Sequence, residues 1–152
     1  MSWQENLIER ASDMHDLIRQ TQRIAVLGIK TEAQADQPAF YVPKYLATAG
    51  FEVIPVPVYY PEVIEILGAR VYRRLTDIPG NIDLVDVFRR PHDINGHVND
   101  ILAKKPTAVW FQSGIRNDAV AEALANAGIK VVQDRCLMVE HRRVYKITPV
   151  PR

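Results

Sequence analysis

Cys136 is the single thiol of the chain, and it stands between Asp134-Arg135 and Glu140-His141. A thiol beside arginine and at the start of a helix is drawn toward thiolate, the form that attacks disulfides and acyl groups. Glu140 and His141 follow one helical turn later, so the residue types are those of a nucleophile and its base. Spacing alone does not bring them together. The competing reading is an inert, packed thiol.

A second polar cluster, Gln112-Ser113-Gly114, follows the apolar run Ala108-Val109-Trp110-Phe111. Its amide, hydroxyl and bare backbone can meet a ligand, while Trp110 and Phe111 read as core. A third is Arg89-Arg90, after Leu84-Val85-Asp86-Val87-Phe88 and before Pro91. Two guanidiniums at a helix start sit badly with the helix dipole but suit a phosphate. Gly28 closes the run Arg23-Ile24-Ala25-Val26-Leu27, at the turn where a pyrophosphate meets loop N–H groups. The segment Gly28-Ile29-Lys30-Thr31 is not the G-x-G-x-x-G of NAD binders, and a glycine serving only a tight turn is the other reading.

These clusters share one property: each lies where a buried strand ends. Strands are expected over 23–28, 51–56, 84–88, 107–111 and 130–132, with helices near 38–48, 91–104, 118–127 and 137–143. A first helix is expected from a Ser2 cap with Glu5 to about Gln20, through Leu7, Ile8, Ala11, Met14, Leu17 and Ile18. The connection after the second strand reads as irregular, with a short helix over 61–67, a short strand at Val71-Tyr72 and a helical turn at Leu75–Ile78. Five strands alternating with helices predict a Rossmann-like, doubly wound parallel sheet in three αβα layers, in order 3-2-1-4-5 or its doubly wound equivalent. In such sheets ligands sit outside the carboxyl ends of the strands.

With 152 residues, net charge +1 and a pI near 7.9, the chain suits one domain and demands neither nucleic acid nor an anionic membrane as partner. The expected division is an N-terminal helix over 1–22, the ligand-binding domain over 23–145 and a frayed tail over 146–152. One cysteine forms no internal disulfide and no Cys-based zinc site. His15, His92 and His97 show no metal-ligand spacing. No apolar run reaches the roughly 20 residues of a membrane span, and the polar N-terminus is unlike a signal peptide. A cytoplasmic protein is expected. A response regulator is excluded by placement: Asp86 lies inside its strand, and arginines occupy the strand's end.

Taken together, Ile24–Gly28, Tyr41–Leu46, Gly50–Val56, Asp83–Phe88, Val109–Ile115 and Asp134–His141 resemble the small bacterial and archaeal CoA-binding protein family. These are single Rossmann-like domains related to the CoA-binding domain of the succinyl-CoA synthetase alpha subunit. The resemblance implies CoA across the strand ends. Gly28, Ile29 and Lys30 would meet the pyrophosphate. Val56 and Pro57 would flank the adenosine, with Phe88 and Arg89 opposite. Gln112, Ser113, Gly114 and Cys136 would face the pantetheine arm. The chain departs from the family in having Ile29-Lys30 where Ala-Ser is common. It also has Pro55-Val56-Pro57-Val58-Tyr59 where Pro-Val-Asn-Pro and a basic residue are common.

The favoured reading is a CoA or acyl-CoA binding module without chemistry of its own. The alternatives are an enzyme using Cys136 in CoA-thiol exchange or acyl transfer, and a protein-interaction scaffold that has lost the ligand. The acyl group and the oligomeric state stay open.

Overall fold

Short β-branched runs make the strands, and glycines, prolines and polar residues end them. In the computed structural model, which describes residues 2–146, these runs form α1 (Ala11–Gln20), β1 (Arg23–Leu27), α2 (Pro38–Thr48) and β2 (Glu52–Val56). A two-stranded ribbon follows, β3 (Glu65–Ile66) and β4 (Ala69–Arg70). After it come β5 (Leu84–Val87), α3 (Val98–Lys104), β6 (Ala108–Phe111), α4 (Asp118–Asn126), β7 (Lys130–Val132) and α5 (Leu137–Val144). The proposed tail beyond Lys146 lies outside the described residues.

The main sheet is five-stranded and parallel, in the order β2-β1-β5-β6-β7. Counting only its own strands, that is 2-1-3-4-5, the alternative doubly wound order, rather than 3-2-1-4-5. Register pairs Leu27 with Val56 on one side and with Val87 on the other. The winding therefore reverses between β1 and β5, and that crevice is where ligands bind in this topology.

Alternate residues of each strand feed two cores. Ala25, Leu27, Val85, Val87, Val109 and Phe111 face the layer containing Ile101 of α3 and Leu124 of α4. Ile24, Val26, Leu84, Ala108 and Trp110 face the layer containing Leu17 of α1, Leu46 of α2 and Leu137 of α5. Burying both faces is why the strands read as continuous apolar runs.

Four expected elements differ. The first helix is broken: a 3-10 turn covers Trp3–Asn6, and α1 begins only at Ala11. Between them Leu7 bridges in parallel to Val131, and the Ile8 N–H donates to the Val131 carbonyl at 2.8 Å, so this segment covers the β7 edge. Open edges invite pairing, and here it outweighs helical periodicity. The expected helix over 61–67 is instead the β3–β4 hairpin, whose turn residues Leu67 and Gly68 have φ of 54° and 72°. Two successive positive φ values are the hairpin-turn signature. The expected strand at Val71-Tyr72 does not form; Tyr72 makes a single backbone contact to Pro55. The helix expected from Pro91 starts as a 3-10 turn over Pro91–His97 before α3. No helix among the described residues is long and apolar enough to cross a membrane.

Candidate functional site

The crevice between β1 and β5 is closed at its floor by a contact that tolerates no side chain. Gly28 has φ +85°, and a Cβ built on it would lie 2.2 Å from the Phe88 carbonyl oxygen. The Gly28 N–H donates to the Val56 carbonyl at 2.9 Å, and the Phe88 N–H donates to the Leu27 carbonyl at 2.9 Å. Gly28, Val56 and Phe88 thus meet at one place, at the carboxyl edge. Val56 and Ile29 are each 1% exposed and Pro57 is buried, so these three present backbone rather than side chain to any ligand there. The Lys30 ammonium is tied to the Gln37 side chain.

Arg89 stands over the same crevice with its guanidinium half held. Its Nε donates to His97 Nε2 at 3.2 Å, and its Nη1 lies 3.4 Å from the Tyr59 hydroxyl. Asp93 is 3.9 Å from Nη2. The Tyr59 ring centroid is 5.6 Å from the guanidinium carbon, a cation–π distance. Burial first, then the neighbouring Arg89 charge, holds His97 below the usual histidine range. A neutral His97 keeps the lone pair that Arg89 needs as acceptor. Arg90, by contrast, is exposed and bonds Asp93 at 2.9 Å.

The second half of the edge is built around the start of α5. Gln112 is 4% exposed, and its Oε1 accepts the Leu137 N–H at 3.1 Å. Its side-chain oxygen is therefore a helix cap rather than a free ligand group. The Trp110 indole donates to the Arg135 carbonyl at 2.8 Å, and the Gly114 N–H donates to Asp134 Oδ1 at 2.6 Å. Ser113 is exposed. Cys136 is the N-cap residue of α5, half-buried against the core that contains Trp110 and Leu137.

Glu140 and His141 do not join Cys136. Glu140 is 3% exposed and bonds Arg143 at 2.7 Å, with His15 at 3.3 Å. His141 Nδ1 lies 2.7 Å from the Tyr45 hydroxyl, and its ring packs edge-on to Phe51. Burial lowers its pKa. Helix α5 carries both toward the amino ends of the strands, where a cavity of about 570 Å³ is lined by Arg23, Glu52 and His141. That cavity lies at the end opposite Gly28 and Arg89, so size alone does not mark the site. No cluster of three or more metal-ligating side chains occurs among the described residues.

Sequence reading gave no ligand-site role to Tyr59 and His97, which contact Arg89, to Arg73, which ties the Tyr59 backbone, or to the buried Asp86. Tyr59 lies 30 residues before Arg89 and 14 before Arg73, so these contacts are tertiary.

With this geometry in view, comparison with known proteins places the chain. The family described as CoA binding domain matches residues 22–142, and the chain belongs to that family. It is 32% identical over 130 residues to the uncharacterized protein YneT of Bacillus subtilis (strain 168), covering 86% of this chain and 93% of that one. The structure of cell-free ID.343 from Thermus thermophilus superposes with a TM-score of 0.81 at 40% identity, covering 90% of this chain and 99% of that one. A hypothetical protein from Pyrococcus horikoshii OT3 gives 0.81 at 31%, covering 90% and 93%. The fold also recurs, at 16% identity and a TM-score of 0.60, in a dinucleotide-forming acetyl-coenzyme A synthetase of Ca. Korarchaeum cryptofilum. There 77% of this chain matches 27% of the enzyme.

Proposed function

We propose that the chain binds CoA or an acyl-CoA across the carboxyl edge of its sheet and carries out no chemistry of its own. One observation supports this most: the bare backbone of Gly28 against the Phe88 carbonyl, at the point where the winding reverses. Gly28 and Lys30 would receive the pyrophosphate, with Arg89 as the partly buried cation on the opposite wall. The backbone at Val56 and Pro57 would flank the adenosine. Ser113, Gly114 and Cys136 would face the pantetheine arm. Native mass spectrometry of protein purified from cells tests the reading. The expected result is a bound species of CoA or acyl-CoA mass. Ligand-free protein that also takes up no added CoA contradicts it.

A second reading, thiol exchange at Cys136, is favoured by the placement of that thiol at the N-cap of α5, on the same edge. The Cys136 thiolate would attack CoA disulfide, forming a protein–CoA disulfide and releasing one CoA thiolate, with no external oxidant. Intact mass after incubation with CoA disulfide decides it. A CoA-sized adduct, reversed by reductant and absent in Cys136→Ser, supports exchange. No adduct on the unaltered protein leaves Cys136 a packed residue.

A further inference from the structure

We infer that Tyr59 is a base-recognition platform, which selects ligands carrying a base next to the phosphates held by Arg89. The inference rests on the CoA reading and assigns a recognition residue to the loop after β2.

Three observations converge on Tyr59. First, it is 58% exposed, although one side of its ring is occupied by the Arg89 guanidinium at 5.6 Å. An aromatic ring backed by a cation, edged by the Tyr60 ring at 6.3 Å and still more than half exposed is a stacking surface, since every base presents a π face. Second, the backbone that carries it is fixed. Arg73 donates to the carbonyls of Tyr59 at 3.0 Å, Tyr60 at 2.7 Å and Val63 at 2.7 Å. One guanidinium thus ties three carbonyls of a loop. The hairpin beyond it is anchored to the loop after β1 by the Leu67 N–H donating to Glu32 Oε2 at 2.9 Å. Third, the loop carries strain where the platform is set. Tyr60 has φ +63°, a conformation that bulky residues rarely adopt. A loop that only connected β2 to β3 would need neither the clamp nor the strained tyrosine.

Location supplies the ligand class. Tyr59 follows β2 by three residues and leans on Arg89, which follows β5, so it stands beside the crevice at Gly28. A group stacked there is adjacent to the phosphates rather than to the thiol end at Cys136. In CoA that group is the adenine. On this reading Arg89 supplies charge to the phosphates and Tyr59 supplies stacking area to the base beside them.

The test compares CoA, ADP and 4′-phosphopantetheine, which has a phosphate and no base, by calorimetric titration of unaltered protein, Tyr59→Ala and Tyr59→Phe. Tyr59→Ala should weaken CoA and ADP about 5- to 150-fold, the range for losing one stacked base. It should leave phosphopantetheine within about twofold. Tyr59→Phe keeps the ring and loses the hydroxyl contact to Arg89, and it should bind CoA within about threefold of the unaltered protein. Unchanged CoA and ADP binding by Tyr59→Ala overturns the platform and leaves the CoA reading standing. An equal loss for phosphopantetheine overturns it too, because Tyr59 then acts only by positioning Arg89. Failure of the unaltered protein to bind CoA and ADP overturns the CoA reading and the platform with it.

Discussion

Gln112 Oε1 accepts the Leu137 N–H at 3.1 Å, so the end of β6 caps the start of α5 from a distance of 25 residues in sequence. The Cys136 side chain makes no cap bond of its own, which leaves Gln112 as the side chain that satisfies this N-terminus. Orphan N–H groups at a buried helix start need such a partner. The same bond fixes where Cys136 stands on the edge.

Gln112→Leu keeps most of the packing volume and removes the acceptor. It should destabilise the fold by about 1–3 kcal/mol, the penalty for an unsatisfied buried donor. Urea unfolding followed by circular dichroism measures it. An unchanged midpoint would show that the cap is replaceable.

Gly28→Ala adds a methyl where 2.2 Å separates the built Cβ from the Phe88 carbonyl, at φ +85°. Strain of this kind costs about 1–3 kcal/mol, and the carbonyl is backbone that yields little. A lower melting temperature and weakened CoA binding are expected together. A variant as stable as the parent would remove the close approach from the account.

Asp86 lies in β5, opposite Val26 and Trp110, fully buried, and neither carboxyl oxygen finds a partner among the described residues. Burial pushes its pKa well above the usual carboxylate range. The folded state then holds a proton that the unfolded chain releases above about pH 4. Its contribution is fully present below that pH and is lost as pH rises toward the folded-state value. Asp86→Val, close in shape, should stabilise the protein by about 1–3 kcal/mol at neutral pH by removing the buried polar group. Its advantage should shrink as pH falls toward 4. Melting temperatures of both proteins between pH 4 and 8 check the sign; an advantage that grows on acidification would contradict it.

Much of the scaffold was legible because its punctuation is local. Pro38 and Gly50 bracket α2, and Lys130–Val132 was read with its observed bounds. Strand ends at Gly28, Phe88, Gln112 and Gln133 gave the carboxyl edge before any coordinates. The order of the strands was not legible in the same way, since 3-2-1-4-5 and 2-1-3-4-5 bury the same faces of the same strands. Leu7 was misread because helical spacing also fits a segment that pairs with Val131 at the sheet edge. The surroundings of Arg89 come from Tyr59, 30 residues earlier, and their geometry is a tertiary fact. Glu140 and His141 looked like partners of Cys136 because one helical turn is near in sequence. The helix carries them away from the edge toward Arg143 and Tyr45.

The most direct measurement is calorimetric titration of CoA into the unaltered protein and into Arg89→Ala. The account predicts saturable binding to the parent and a loss of about 10- to 150-fold in the variant, the equivalent of one charge-assisted contact worth roughly 1.5–3 kcal/mol. No saturation of the parent at millimolar CoA, or equal binding by Arg89→Ala, would contradict a phosphate site at the crevice between β1 and β5.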